Sequence, residues 1–337
     1  MEEKPTIHDI ARMLKVSPST VSRALNNNPR ISLSKREEIQ KLAKDKGYSR
    51  NSLAYSLRRG KTQTAGVIIP RIARFFFSSV IEGLEEVLRT AGFNLIICQT
   101  EEDHLKETQN LKTLIDMQVN VIFISLSAGT INTDHIREII NSGKRVIMFD
   151  RVDESLKVEM VKLNDYEGAY KTVKHMLDQG YHRIIHFAGP ENLNVYKERK
   201  QGYLDALREN NISFNKIISN VITRKSGKQA FHEIMSEKNS ADAIFAASDF
   251  SALGAVLSAR ELNISIPENV GIAGFANEPF TEYVHPGITS TDQKGKLMGQ
   301  RIAELFIDDP EGNNKHREII SPELIIRKST LKNNLKN

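Results

Sequence analysis

The spacing of apolar and polar positions changes character near residue 64. Upstream, short apolar runs keep helical spacing. Ile7, Ile10, Ala11 and Leu14 fall at i, i+3, i+4 and i+7, and Thr6 with Asp9 has the form of a capping box, which predicts a helix starting after Thr6. The stretch KVSP interrupts it. Ser17 is a good N-cap and Pro18 a good first helical residue, predicting a second helix from Pro18 to about Leu25 with Val21, Ala24 and Leu25 inward. A third is predicted to start at Ser34 with Glu37 as its capping partner, to bury Ile39, Leu42 and Ala43, and to stop at Gly47. Three short helices with a tight turn between the first two describe a helix-turn-helix.

Downstream, the runs AGVIIP, FNLIIC, VNVIFIS and KRVIMFD read as short buried strands alternating with helical patterns. In the first of these helices Val80, Ile81, Leu84, Val87 and Leu88 share one face. A second set follows, EMVKLND, RIIHFAG, KIISNVI, ADAIFAAS and VGIAGFA, to about residue 276. Strands of this kind separated by helices imply parallel sheets, and two sets imply two α/β subdomains.

At 337 residues the chain is long enough for two or three domains with real cores. The opening residues MEEKPTIHDIARML lack an apolar run of signal-peptide length, and no stretch approaches the roughly 18 apolar residues of a membrane span. A cytoplasmic protein with no membrane partner is expected. The lone Cys98 has no intramolecular disulfide partner and is expected to be a buried small hydrophobe. Charge is unevenly divided: residues 1–64 hold 14 Lys/Arg against 6 Asp/Glu, a net +8, so the rest carries −3 to give the total of +5. That basic excess is an electrostatic footprint for nucleic acid.

The second helix is poorly suited to a hydrophobic core. Ser19, Thr20, Ser22 and Arg23 crowd a short segment, and every buried hydroxyl needs a partner. In a helix-turn-helix the second helix enters the DNA major groove with its N-terminal residues at the base edges, while hydroxyls and helix N-termini grip phosphates. Arg23 can donate bidentately to guanine, and Ser or Thr can serve bases or phosphates.

TIHDIARMLKVSPSTVSRALNNNPRIS, followed by KREEIQKLAKDKGYSRNSLAYSLRRGKT, resembles the DNA-binding head and hinge of the lactose/galactose repressor family of bacterial transcription regulators. The resemblance implies that Pro18 and Ser19 help set operator choice and that Arg23 contacts bases. With the hydroxyl pattern it marks Thr6, Ser17, Pro18, Ser19, Thr20, Ser22, Arg23, Asn26, Asn51, Leu57 and Arg58 as the DNA-contacting set. The segment NSLAYSLRRG, residues 51–60, is too short to be a stable helix alone and is expected to fold when a second copy pairs with it. The resemblance assigns Leu57 as a wedge into the minor groove, where such wedges bend the duplex. The implied partners are a near-palindromic double-stranded operator and a second copy of the chain, with the protein on the nucleoid when bound.

The family resemblance also implies a periplasmic-binding-protein-like core whose chain crosses back near Asp292, returning the helix KGKLMGQRIAELF to the first subdomain. The expected organisation is a helix-turn-helix domain over 1–49, a hinge over 50–62, and an effector-binding and dimerisation core over 63–332. Its N-subdomain spans about 63–162 and 292–320, its C-subdomain about 163–291 and 321–332.

Enzyme signatures are missing: no G-x-G-x-x-G follows a strand, and there is no P-loop, nucleophile elbow or H-E-x-x-H helix. His182 and His186 in HRIIH lack a neighbouring cysteine or carboxylate cluster in sequence and are read as packing or surface residues. No catalytic residue, cofactor or metal is expected. The rival from another class is an α/β enzyme, such as a sugar kinase, carrying a DNA-binding head. Open α/β sheets bind ligands beyond the C-terminal ends of their strands, which makes Phe76, Phe77, Asp150, Ser248, Asp249 and Asn277 candidates, together with Arg199 on a helix. As a set they match the family's effector positions, and aromatic faces with carboxylates, an amide and a guanidinium suit a sugar or another small polyhydroxylated or heterocyclic effector. Two departures stand out. Many family members have aspartate where Ala276 stands, so Asn277 or Glu278 compensates, or the ligand lacks the hydroxyl concerned. After PELIIRKST only LKNNLKN remains, too little for a leucine-heptad tetramerisation helix, so a dimer is expected.

Overall fold

The computed structural model describes residues 5–25, 27–48, 63–237 and 241–332. They form two units, divided between Thr62 and Gln63. The first contains α1 (Ile7–Met13), α2 (Pro18–Leu25) and α3 (Leu33–Asp45). Ile10, Ala11, Val21, Ala24 and Ile39 form its core, with Leu25 and Leu42 half-buried at its margin. The Thr6 capping box forms as expected: Thr6 Oγ1 accepts the Asp9 amide, and Asp9 Oδ2 accepts the Thr6 amide. Thr20 N donates to Ser17 Oγ at 3.1 Å, so Ser17 caps α2. The start of α3 differs from the expectation. Ser32, not Ser34, takes the N-cap place, its carbonyl accepting the Arg36 amide without any side-chain cap bond. Gly47, at φ +65°, follows the end of this helix in the left-handed region that glycine adopts without strain.

The second unit holds two six-stranded sheets. The elements run β1 (Thr64–Ile69), α4 (Phe75–Thr90), β2 (Asn94–Gln99), α5 (His104–Asp116), β3 (Val121–Ile124), α6 (Asp134–Asn141), β4 (Val146–Phe149) and β5 (Glu159–Leu163). Then come α7 (Asp165–Asp178), β6 (Ile184–Phe187), α8 (Asn194–Glu209), β7 (Lys216–Ile218), α9 (Arg224–Ser236), β8 (Ala243–Ala246), α10 (Asp249–Glu261) and β9 (Gly271–Ala276). The chain ends through α11 (Phe280–Tyr283), β10 (Thr289–Asp292), α12 (Gly295–Asp308), β11 (Arg317–Ile320) and β12 (Glu323–Ile325). Sheet order is β11-β5-β4-β3-β1-β2 in the first sheet and β12-β10-β9-β8-β6-β7 in the second. Every pairing is parallel except that of β10 with β12.

The central strands β3, β4, β6 and β8 are buried at every position, as near-continuous apolar runs in a doubly covered parallel sheet should be. The strand in EMVKLND, grouped with the second set by its apolar pattern yet inside the expected N-subdomain limit of about 162, belongs to the first sheet: β5 pairs with β4, Met148 opposite Met160, and with β11 on its other side. Apolar periodicity identifies a strand without saying which sheet accepts it. Cys98 is half-buried rather than buried, because β2 is an edge strand with β1 as its one neighbour.

The chain passes from the first sheet to the second after β5, returns after β10, and crosses again between β11 and β12. On the return α12 packs on α4 with the backbones in contact. A Cβ added to Gly83 would meet Lys296 O at 2.1 Å, and one added to Gly299 would meet Val80 O at 2.0 Å. No helix among the described residues is long and apolar enough to cross a membrane.

Candidate DNA-binding surface and ligand cleft

At the start of α2 three hydroxyls form one network. Ser17 Oγ lies 2.8 Å from both Ser19 Oγ and Thr20 Oγ1 while also accepting the Thr20 amide. The network is exposed at Ser17 and Ser19, and Arg23 is exposed one turn further along. Pro18 and Ser22 are half-buried. The apolar face of the helix is used by Val21 and Ala24, so the polar residues are left on the outer side by the helical period itself. The Thr6 hydroxyl donates to Asp9 Oδ2 at 2.7 Å, which commits it to the cap. Asn26, Asn51, Leu57 and Arg58 lie outside the described residues.

In the second unit a cleft opens between the sheets, at the C-terminal ends of their parallel strands. Phe76, Phe77 and Asp150 line it from the first sheet, Arg199 and Ser248 from the second. Phe76 and Phe77 meet edge to face, centroids 5.1 Å apart. Asp150 follows β4 at φ +57° and is 3% exposed. Its Oδ2 accepts from Ser125 Oγ at 3.3 Å, while the buried Oδ1 has no hydrogen-bond partner. Burial raises the Asp150 pKa above its ordinary value, outweighing the pull of Arg151 and Arg199.

Arg199 is held by its own subdomain. Its Nε donates to Asp165 Oδ1 at 2.7 Å, its Nη1 to the carbonyl of Ala247 at 2.8 Å, and its guanidinium lies 3.8 Å over the Phe275 ring. Burial pushes Asp165 up to about 7 despite this partner. Its Nη2 also lies 2.7 Å from Asp165 Oδ1, so the guanidinium that lines the cleft is fixed through all three of its nitrogens.

Two expected cleft residues face elsewhere. Asp249 is fully buried beneath the cleft, its Oδ1 accepting from Ser290 Oγ at 2.6 Å and its Oδ2 from the Glu278 amide at 2.8 Å. A Cβ on Gly274 would sit 2.0 Å from that Oδ1, so glycine there makes room for the carboxylate. Asn277 is turned outward: its Nδ2 donates to Asp292 Oδ2 at 3.0 Å and its Oδ1 accepts from Arg327 at 2.9 Å. Ala276, at φ +124°, lies in a region L residues rarely adopt, and the turn it makes directs Glu278 rather than Asn277 to the cleft wall.

Burial raises the Asp249 pKa to about 7, against the Ser290 hydroxyl and the Glu278 amide. The folded chain thus holds this proton more tightly than the unfolded chain does. The stability it contributes is present below 3.8 and is lost as pH rises through about 7. Asp249→Asn can keep the Glu278 amide contact through its carbonyl, with its NH2 donating to Ser290 Oγ in place of accepting from it, and is expected to flatten the pH dependence of unfolding free energy across that window. Urea titrations that gave the same slope for variant and wild type would contradict the assignment.

The cleft contains residues the sequence reading passed over, Arg74, Glu102, Arg151, Tyr196 and Phe250, and it also contains Glu278, one of the two residues expected to compensate for Ala276. Arg74 reaches from the first subdomain to lie 3.7 Å over the Phe250 ring of the second. Arg151 Nη1 donates to Glu102 Oε2 at 2.7 Å. Burial works against ionisation of Glu102, yet Arg151 and the Ala128 amide hold its pKa below the ordinary value. Two signals could have marked some of these. Glu102 and Arg151 lie just past strand ends, and Tyr196 precedes Arg199 by three positions on one helix face.

Residues 6–51 match the family described as bacterial regulatory proteins, lacI family, and residues 173–330 match a periplasmic binding protein-like domain. The NTD biosynthesis operon regulator NtdR of Bacillus subtilis is 31% identical over 97% of this chain and 100% of its own length. The chain belongs to the lacI family of bacterial regulatory proteins. As a lacI-family protein it is a DNA-binding transcription regulator with a helix-turn-helix head and a periplasmic-binding-protein-like core. The HTH-type transcriptional repressor PurR of Photobacterium profundum is 27% identical over 96% of this chain and 98% of its own. Among solved structures, the lac repressor dimer bound to operator and the anti-inducer ONPF shares the fold, with TM-score 0.87 at 19% identity over 98% of this chain and 100% of that one. A LacI family regulator from Enterococcus faecium with bound ribose gives TM-score 0.71 at 26% identity, over 79% of this lacI-family chain and 98% of that one.

Proposed function

We propose that this lacI-family regulator is a cytoplasmic dimeric repressor whose operator affinity is set by a small polyhydroxylated ligand, a sugar or sugar derivative, bound in the cleft. The observation that carries the ligand reading is Asp150 Oδ1, a buried carboxylate oxygen with no partner at a site walled by aromatic rings. Such an atom gains most from a hydroxyl donor, since a buried acceptor left unmade costs about 1–3 kcal/mol. The aromatic lining of Phe76, Phe77 and Tyr196 suits the C–H face of a sugar, and Arg199 and Ser248 supply further hydrogen bonds. Glu278 takes the role that Ala276 lacks. The ribose bound by the Enterococcus faecium relative supports the same ligand class.

On the DNA side, Ser19 and Arg23 read base edges, Pro18 makes apolar contact, and Ser17 and Thr20 face phosphates. Two heads about a dimer axis require inverted half-sites, and paired Leu57 wedges favour a flexible pyrimidine-purine step at the centre. The reading includes no catalytic step; a sugar kinase with a DNA-binding head would consume ATP, which a turnover assay detects.

The cleft has the means to switch. Asn194 Oδ1 accepts the Val152 amide at 3.0 Å and Asn194 Nδ2 donates to the Asp150 carbonyl at 3.1 Å, joining the subdomains beside the site. About 80 Å³ of free space lies between the walls. That is less than the roughly 150 Å³ of a cavity that encloses a benzene-sized molecule, so enclosing a sugar calls for the walls to part. Regulation requires that the ligand bias two such states. A thermal-shift panel of pentoses, hexoses, sugar phosphates and nucleosides should yield a stabilising compound, which is then titrated into the protein with and without operator duplex. Linkage requires operator to change ligand affinity by the factor the ligand changes operator affinity. An affinity indifferent to operator would separate the cleft from DNA control and overturn the proposal.

A further inference from the structure

Beside the cleft, on the first sheet, lies a cluster that the ligand reading does not use. His104 opens α5, Glu107 follows at i+3 on the same face, and His135 lies in the first turn of α6. One donor atom from each side chain lies within 4.8 Å of the other two. Glu107 is fully buried, with Oε1 accepting from Thr130 Oγ1 at 2.8 Å and lying 2.9 Å from His135 Nε2. Its Oε2 accepts the Ser127 amide at 2.7 Å. The two imidazoles meet edge to face at 4.6 Å, and the Nδ1 atoms of both are buried without a hydrogen-bond partner.

A purely structural role accounts for part of this. Glu107 pins the loop that follows β3, and His135 steadies Glu107. That role explains neither the second imidazole nor the unpartnered Nδ1 of His104 beside it. Two imidazoles and a carboxylate converging at the mouth of a sheet are the donor set of a three-ligand zinc site, with the fourth position left to water.

We propose that His104, Glu107 and His135 bind a borderline divalent cation of the zinc class. Zn–N and Zn–O bonds of about 2.0–2.2 Å place tetrahedral ligands about 3.3 Å apart. The Glu107–His135 pair, at 2.9 Å, is already near that spacing, and rotation of the His104 ring completes the set. A cation seated between Glu107 Oε1 and His135 Nε2 takes the place of their hydrogen bond and ties α5 and α6 to the loop that carries Thr130. Asn192, on the second subdomain, donates to the carbonyls of Ala128 and Thr130 in that loop at 2.8 and 3.2 Å. A bound cation therefore braces one of the contacts between the subdomains.

Calorimetric titration of the metal-free full chain with zinc chloride is expected to show one saturable equivalent. Cobalt(II) at the same site should give the visible absorption of a tetrahedral complex. His104→Gln and His135→Gln should each weaken zinc at least tenfold, and His182→Gln, at an exposed position ahead of β6, should not. Should either variant fail to fold, protection of His104 and His135 from diethylpyrocarbonate by zinc, read on the wild type by mass spectrometry, makes the same decision. No saturable equivalent, binding that survives both substitutions, or histidines modified equally with and without zinc would overturn the site.

Discussion

Arg199→Ala is expected to abolish tight ligand binding and to cost the core about 3–5 kcal/mol of stability, the usual penalty for breaking a buried ion pair from one side. Arg199 is 5% exposed and Asp165 fully buried, so solvent cannot take over the lost partner. The variant strands Asp165, whose Oδ2 already has no hydrogen-bond partner, and frees the Ala247 carbonyl next to the cleft. It also removes the cation that lies over Phe275. Because Arg199 is what opposes burial at Asp165, the carboxyl should rise above about 7 in the variant and take up a proton near neutrality. Stranding a neutral acid costs less than stranding an anion, so the penalty should shrink as pH falls. Urea denaturation of both proteins across pH measures this, and a loss below about 0.5 kcal/mol, the range of ordinary surface changes, would show that the pair is not what holds this wall. An Arg199→Met, Asp165→Leu double variant should regain much of the stability but not the ligand binding, separating the two roles.

Arg23→Ala should weaken operator binding by about 1–3 kcal/mol and relax specificity at one base pair in each half-site. The side chain is exposed on the outer face of α2, while Val21 and Ala24 alone carry that helix's buried packing, so the head should stay folded and the loss should appear in DNA affinity. Arg58→Ala offers the contrast: a phosphate contact supplies affinity without sequence information, and its loss should weaken every duplex alike and flatten the salt dependence. Fluorescence anisotropy on operator and scrambled duplexes distinguishes them. Equal losses on both duplexes for Arg23→Ala would make it a phosphate ligand.

Where a local device sets an element, the sequence is readable to the residue. The Thr6–Asp9 box and the Ser17–Pro18 start fix α1 and α2 because their partners lie within three positions. Ser34 and Glu37 carry the same letters, yet the chain enters α3 through Ser32, whose backbone alone supplies the cap. The buried strands are legible because doubly covered strands are apolar throughout. The outward turn of Asn277 depends on a partner far along the chain, Arg327. Rules for strand ends pointed to Asp150 and Ser248, and both line the cleft. They also suggested Asp249, which lies one residue past Ser248 and therefore points under the cleft rather than into it. Arg74 could not be found this way, since its role depends on Phe250 standing opposite.

The central claim is sequence-specific DNA reading by α2 in a two-fold assembly. Selection of bound duplexes from a random-sequence library, carried out with the wild type and with Arg23→Ala in parallel, tests it most directly. The account predicts that the wild type returns an inverted repeat with a flexible step at its centre, and that the variant returns the same repeat with one position per half-site levelled. A single asymmetric half-site, no enriched sequence, or identical motifs from the two proteins would contradict it.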